Sequence, residues 1–240
     1  MQWSDPKKPL VIAHRGFTKD HVENTLEAVE AALQLGVDGV EVDLRLSADG
    51  ELIVFHDNSL QRLALRDESI EEMTLSGLRD VRLQGSRLPT LEELLDLVRD
   101  RALLNLELKT VRWNAQVERK LVATLRSFRL GESILVSSFH PLLLWRMKRI
   151  APGLKRGYLV SDRQRQYRAL FSKLVEPYSI NPAAEMTDLT LITKAHRTGQ
   201  RIFTWTVNSV DDMNRFLAIG IDGLFTDRPD DLMRALDRGK

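Results

Sequence analysis

Two segments that otherwise read as buried strands carry charged residues at alternate positions. They are Glu41-Val42-Asp43-Leu44-Arg45 and Asn105-Leu106-Glu107-Leu108-Lys109. Strand side chains alternate between two faces, so each segment gathers its polar set on one face. Parallel strands covered on both sides are near-continuously apolar, and a buried carboxylate must be paired, hydrogen-bonded or bound to a cation. Glu41, Asp43 and Glu107 are therefore a candidate oxygen-ligand set for one hard divalent ion, Mg²⁺ or Ca²⁺. The competing reading is a buried ion-pair network with Arg45 and Lys109. Either strand alone leaves the two readings level; two such strands in one barrel favour the metal.

Five histidines occur in the chain. His14 and His56 each end a strand or hairpin limb, and the hairpin brings His56 across from the Glu41–Asp43 region. An imidazole with an ordinary pKa of about 6.5 suits general acid and base work near neutrality. A lone histidine at a strand end is most often a hydrogen-bonded structural residue; a pair beside a carboxylate cluster suggests chemistry. His196 reads as a surface residue on a helix and His140 as a partly buried loop residue before Pro141, while His21 has no stronger case. Arg15 and Lys109 are candidate anion binders, since guanidinium and ammonium groups hold phosphate oxygens; their bland role is charge balance. Trp205 reads either as core or as an apolar wall that positions substrate.

The elements that must position these residues alternate along the chain. Strands are expected at Leu10–Ala13, Val40–Leu46, Leu103–Leu108, Ile134–Ser138, Arg156–Val160, Tyr178–Ile180, Ile202–Val207 and Gly223–Thr226, with Leu52–His56 as a hairpin partner entered through Ala48-Asp49-Gly50. Helices are expected at Asn24–Leu35, Leu91–Val98, Ala115–Phe128, Pro141–Ile150, Leu189–His196 and Val210–Ala218. Gly36 sits at a C-cap position, and Thr90 with Glu93 forms a capping box. Eight strands alternating with helices fit a TIM-type (β/α)8 barrel. A doubly wound open sheet would favour a glycine-rich phosphate loop after the first strand, and none is present. Residues 58–88 are polar and lack a barrel strand, so they read as a short excursion above the barrel mouth. The whole span 1–240 reads as one domain.

Composition excludes some classes. The 35 basic and 34 acidic residues leave a formal charge of +1, which gives no nucleic-acid surface. Arg163, Arg165 and Arg168 form the one basic run, ordinarily a solvated helix face and alternatively a contact for anionic lipid or substrate. There is no cysteine, so disulfide, thiolate and cysteine–zinc chemistry are absent. Met1–Pro9 lacks an apolar signal core and no stretch approaches the roughly 18 apolar residues of a membrane span, so a cytoplasmic protein with no membrane span is expected. No stripe on the outer helices compels an oligomer.

These residues resemble the glycerophosphodiester phosphodiesterase family. The resemblance runs through His14-Arg15-Gly16, Glu23-Asn24-Thr25, Gly39 to Arg45, Asp49-Gly50, His56-Asp57, Leu88 to Glu93, Leu106 to Lys109, Trp205 to Asn208 and Asp222 to Pro229. Each fragment is weak alone; their joint order and spacing are specific. The resemblance implies a TIM-like barrel that hydrolyses a small-molecule glycerophosphodiester to glycerol 3-phosphate and an alcohol. It implies Glu41, Asp43 and Glu107 as metal ligands, His14 and His56 as the acid/base pair, Arg15 and Lys109 as phosphate contacts, and Glu23 as a supporting residue. It also favours a cyclic phosphate intermediate formed by the substrate's own hydroxyl. Two departures stand where the alcohol is selected: Arg62 lacks the threonines that often follow it, and Asn181-Pro182 replaces a His-Pro pair. A lysophospholipase D-type activity, with Leu170, Phe171 and Leu174 holding an acyl chain, is the alternative. A non-catalytic binding module and unrelated metal-assisted barrel chemistry rank below it.

Overall fold

The computed structural model describes Trp3 and residues 8–110, 115–163 and 168–238; Arg165 of the basic run lies outside the described residues. The chain opens with β1 (Leu10–His14), α1 (Leu26–Leu35), β2 (Gly39–Leu46) and β3 (Leu52–Val54). An excursion follows, with α2 (Gln61–Ala64), a 3-10 turn at Ile70–Glu72, α3 (Leu75–Leu78), β4 (Arg82–Leu83) and β5 (Ser86–Arg87). Next come α4 (Leu91–Val98), β6 (Leu103–Leu108), α5 (Gln116–Ser127), β7 (Ile134–Ser138), α6 (Pro141–Ile150) and β8 (Lys155–Val160). The chain ends with α7 (Arg168–Val175), β9 (Ser179–Pro182), α8 (Leu189–Arg197), β10 (Arg201–Thr204), α9 (Val210–Ala218), β11 (Gly223–Thr226) and α10 (Pro229–Ala235).

Eight parallel strands close on themselves, because β1 pairs with both β2 and β11, and β3 hangs antiparallel on β2. This is the expected TIM-type barrel. Outward-facing Val40, Val42, Leu44, Leu104, Leu106 and Leu108 join the helices in one apolar layer. Inward-facing Leu10, Ile12, Leu103, Leu135, Phe203 and Phe225 fill the lower interior, and Trp3 plugs it from below. The Trp3 indole donates to the Ser133 carbonyl at 2.8 Å, and the Tyr178 hydroxyl donates to the Trp3 carbonyl. Among the described residues, no helix is long and apolar enough to cross a membrane.

Several boundaries differ from the sequence expectation. β3 stops at Val54, so His56 stands beyond the strand, where Arg45 holds its carbonyl at 2.9 Å. α1 starts at Leu26 rather than Asn24: Asn24 takes φ +59° and Thr25 caps the helix by accepting from the Ala28 amide. The strand expected at Tyr178–Ile180 shifts to Ser179–Pro182, which brings Asn181 into the barrel wall, and β10 ends before Trp205. The excursion is not simply polar. Phe55, Leu60, Leu63, Ile70, Leu78, Val81 and Leu83 form a core of their own against Ile53 and Leu88. Polar residues alternating with these had masked it.

Gly157 on β8 has no room for a side chain. A Cβ there would lie 2.9 Å from Asn181 Nδ2, 3.1 Å from Ser179 Oγ and 3.3 Å from Ser137 Cβ. Gly157→Ala should cost about 1–3 kcal/mol by overpacking. In a chain of this size that is a fall of roughly 2–4 °C in melting temperature per kcal/mol. A calorimetric scan showing no fall would mean that the interior relaxes freely around the added methyl.

Candidate active site

The C-terminal ends of the barrel strands carry the predicted residues, the end at which such barrels hold their catalytic groups. Asp43 and Glu107 are partners across the β2–β6 ladder, and His14 is opposite Glu41 across β1–β2. Seven of the nine predicted residues line one cavity of about 210 Å³: His14, Arg15, Glu41, His56, Glu107, Lys109 and Trp205. Asp43 is wholly buried behind Lys109, and Glu23 sits behind Arg15. A larger cavity of about 400 Å³ lies outside the barrel between α7 and α8 and contains none of the nine.

The loop after β1 is shaped by two left-handed residues. Arg15 (φ +59°) donates its amide to the Glu41 carbonyl at 2.8 Å. Gly16 (φ +88°) lies so close to α1 that a Cβ would sit 2.6 Å from the Ala28 carbonyl carbon, which only glycine avoids. Left-handed Asn24 turns its carboxamide onto Asp43, donating to Oδ2 at 2.8 Å and accepting from the Asp43 amide at 3.1 Å.

Glu41, Asp43 and Glu107 each offer one oxygen, and these lie within 4.8 Å of one another. Glu41 Oε1 is buried with no hydrogen-bond partner. Asp43 Oδ1 and Glu107 Oε1 face the Lys109 ammonium at 3.1 and 2.6 Å. An all-oxygen anionic set with an orphaned buried acceptor fits a hard divalent cation. Burial, reinforced by the charges of Asp43 and Glu107, raises the Glu41 carboxyl well above the usual range. Burial also pushes Glu107 up to about 7, against the pull of Lys109. For Asp43 burial acts upward too, but Lys109 and Arg15 outweigh it and hold the group at about 2. Arg45 does not join this network. Its guanidinium faces Glu71 at 3.3 Å and the excursion, so Arg15 and Lys109 are the cluster's cations.

Each candidate acid/base histidine has a carboxylate on Nδ1. His14 Nδ1 lies 2.7 Å from Asp227 Oδ1, and its Nε2 lies 3.8 Å from Glu41 Oε2. His56 Nδ1 lies 2.7 Å from Asp57 Oδ1. Burial lowers the His56 pKa, partly countered by Asp43. Arg62 extends from the excursion to bridge Glu23 at 2.6 Å and Asp57 at 2.6 Å, and Glu23 in turn holds Arg15 at 2.8 Å. Burial tends to raise Glu23, but its hydrogen bonds to Arg62 and Arg15 hold it below the ordinary carboxylate range. Trp205 donates its indole N–H to the Asn181 carbonyl at 2.7 Å and meets Phe139 edge-on, with centroids 5.3 Å apart. Phe139, Leu159 and Phe225 complete the apolar wall.

Sequence reasoning did not single out Asp57, Asp227, Asn24, Asn105 or Phe139 as site residues. Asp57 and Asp227 follow a candidate histidine and the last barrel strand, so their position at the catalytic end was the available signal. The residues proposed for an acyl chain do not line this cavity: Leu170 and Leu174 are exposed on α7, and Phe171 packs edge-on against Tyr158. His140 stands exposed at the N-cap position of α6 with no side-chain capping hydrogen bond, and His196 pairs with Asp222 at 2.7 Å on the outside of the barrel.

The chain is similar to known proteins over nearly its whole length. The model of the glycerophosphoryl diester phosphodiesterase family matches residues 14–231. A glycerophosphodiester phosphodiesterase of Caldanaerobacter subterraneus subsp. tengcongensis is 32% identical over 97% of this chain and 99% of its own length. One from Bacillus altitudinis is 32% identical over 92% and 95%. An Oleispira antarctica phosphodiesterase, solved with the product sn-glycerol-3-phosphate, superposes with a TM-score of 0.88 at 28% identity, covering 96% of this chain and 97% of that one. The Thermotoga maritima glycerophosphodiester phosphodiesterase gives 0.81 at 30% identity, covering 95% and 98%. With the barrel, the carboxylate cluster and the histidine pair in the matched span, the chain belongs to the glycerophosphoryl diester phosphodiesterase family.

Proposed function

We propose that this chain hydrolyses glycerophosphodiesters to glycerol 3-phosphate and a free alcohol, with one divalent cation, Mg²⁺ or Ca²⁺, held by Glu41, Asp43 and Glu107. One observation carries the reading: three buried carboxylates with oxygens within 4.8 Å share a cavity with Arg15, Lys109 and two carboxylate-backed histidines. The named activity of the Caldanaerobacter relative and the product held by the Oleispira structure support it.

A cation bound there supplies Lewis-acid stabilisation of charge on the phosphate oxygens. Arg15 and Lys109 hold the remaining anionic oxygens and stabilise charge as it builds on phosphorus. Glu23 fixes the Arg15 guanidinium. Asp57 and Asp227 occupy the Nδ1 side of the two histidines, which leaves each Nε2 as the working atom. His56, kept neutral to lower pH by burial, takes the proton of the attacking hydroxyl. His14 returns a proton to the leaving oxygen. The attacking group is water or the substrate's own glycerol hydroxyl. Phe139 and Trp205 form a dry wall beside the reacting phosphate.

The direct test is release of glycerol 3-phosphate from glycerophosphocholine and glycerophosphoethanolamine, with and without chelator, beside the His14→Ala variant. Release that needs the cation and His14 is expected. No release with Mg²⁺, Ca²⁺ or Mn²⁺ restored would reject these substrates, and lysophospholipids would be assayed next.

A further inference from the structure

The floor of the catalytic cavity carries a polar group that the reaction proposed above does not use. Asn105 lines the cavity and neighbours Glu41 across the β2–β6 ladder. It is 1% exposed, and its Nδ2 donates to Ser137 Oγ at 2.9 Å. Its Oδ1 is buried with no hydrogen-bond partner. Apolar side chains ordinarily fill this part of a barrel, as Leu103 does one step below on the same strand and Leu135 does as the register partner on β7. A leucine at 105 would extend that layer. A carboxamide with an unmet buried acceptor costs stability unless a ligand or an ordered water meets it.

The chemistry of the cavity walls narrows what that ligand is. Arg15 and Lys109 suit anionic oxygens. The Asn105 carbonyl, beside the Glu41 carboxylate, repels them and calls for a donor. A neutral hydroxyl donates one hydrogen bond without bringing a buried charge. The cavity, at about 210 Å³, is also smaller than the roughly 300–1,000 Å³ typical of drug-sized ligands, so its interior matches a small polyol. We infer that Asn105 is a specificity-determining residue whose Oδ1 accepts a hydrogen bond from a hydroxyl of the glycerol moiety. This rests on the proposed reaction and adds how the glycerol half is told apart from other phosphodiesters.

The test pairs a residue change with a substrate change. Binding is read by calorimetry, which needs no turnover, at one saturating Mg²⁺ or Ca²⁺ concentration. The ligands are glycerol 3-phosphate, propane-1,3-diol phosphate, which lacks the 2-hydroxyl, and propane-1,2-diol 1-phosphate, which lacks the terminal one. Wild type should bind glycerol 3-phosphate about 5- to 100-fold more tightly than one of the two deoxy ligands, the range for leaving one buried polar group unpaired. In Asn105→Leu that preference should collapse towards unity through weaker binding of glycerol 3-phosphate alone. Asn105→Ala serves the same purpose if the leucine variant does not fold. Asn105→Asp keeps an acceptor and should keep the preference. Equal preferences in wild type and the leucine or alanine variant, or no preference in wild type, would overturn the inference. Glycerophosphocholine hydrolysis assayed in parallel judges the reaction separately. Turnover without Asn105-dependent preference rejects only the inference; Asn105-dependent binding without turnover rejects only the proposed reaction.

Discussion

His56→Ala and His14→Ala should each lower kcat by about 10²- to 10⁴-fold, the usual contribution of a positioned proton-transfer group. The double variant should lose little beyond the worse single one, because a proton taken and a proton given belong to one transition state. Their pH profiles should differ. Burial lowers the His56 pKa from 6.5, so its neutral form persists into mildly acidic solution. As the base, His56 loses activity as pH falls through its folded pKa, which places the acid limb of kcat/KM below pH 6.5. At a Mg²⁺ or Ca²⁺ concentration that keeps the carboxylate trio occupied across the pH range, that limb should vanish from the residual activity of His56→Ala. Asp57→Asn and Asp227→Asn remove the carboxylate that orients each imidazole, Asp57→Asn together with its ion pair to Arg62, and should cost about 10- to 100-fold. An alanine variant that keeps wild-type kcat at every pH would remove that histidine from the mechanism.

The barrel was legible because its physics is local. Most barrel strands are short β-branched or leucine-rich runs, and several helices carry a side-chain cap from their own sequence, as Thr25 does at α1, Asp188 at α8, Ser209 at α9, and Thr90 with Glu93 at α4, where both capping-box hydrogen bonds form. The carboxylates were legible because charge inside a buried strand is rare and needs a cause. What escaped was set by contacts distant in sequence. Trp3 seals the barrel floor against Ser133 and Phe203, more than a hundred residues away. Asp227 meets His14 only because the last strand closes on the first. Arg45 looked like a partner of Glu41 and Asp43 from its alternation. Its strand position at the barrel rim instead lets the long side chain reach Glu71 in the excursion. Asn105 was visible as part of an alternating pattern, but its unmet carbonyl depends on Ser137 from the neighbouring strand taking the other half of the amide.

The cation should appear in stability as well as in rate, with a sign that depends on pH. Glu107 is pushed up to about 7 in the folded protein, mainly by burial, against an ordinary value of 4.5. The folded state therefore holds a proton between these two values that the unfolded chain releases. By linkage, its stabilising contribution is fully present below pH 4.5 and lost as pH rises through 7. For Glu107 alone this is up to roughly 3 kcal/mol, and Glu41, raised by the same causes, adds in the same direction. Asp43, held at about 2, is ionised throughout this window and contributes no slope. His56 carries the opposite slope, because burial disfavours its cation. Comparing wild type with Glu107→Gln cancels that term. Denaturant unfolding at pH 5 and pH 7.5 in chelator should show wild type losing stability relative to Glu107→Gln at the higher pH. Adding Mg²⁺ or Ca²⁺ should then stabilise wild type more at pH 7.5 than at pH 5, since a cation binds the ionised trio, with a gain that grows with its concentration. Glu107→Gln should lose most of that gain. If chelated wild type shows no pH-dependent loss and no divalent cation stabilises it, the trio is a closed ion-pair network balanced by Arg15 and Lys109, and the metal is not part of this site.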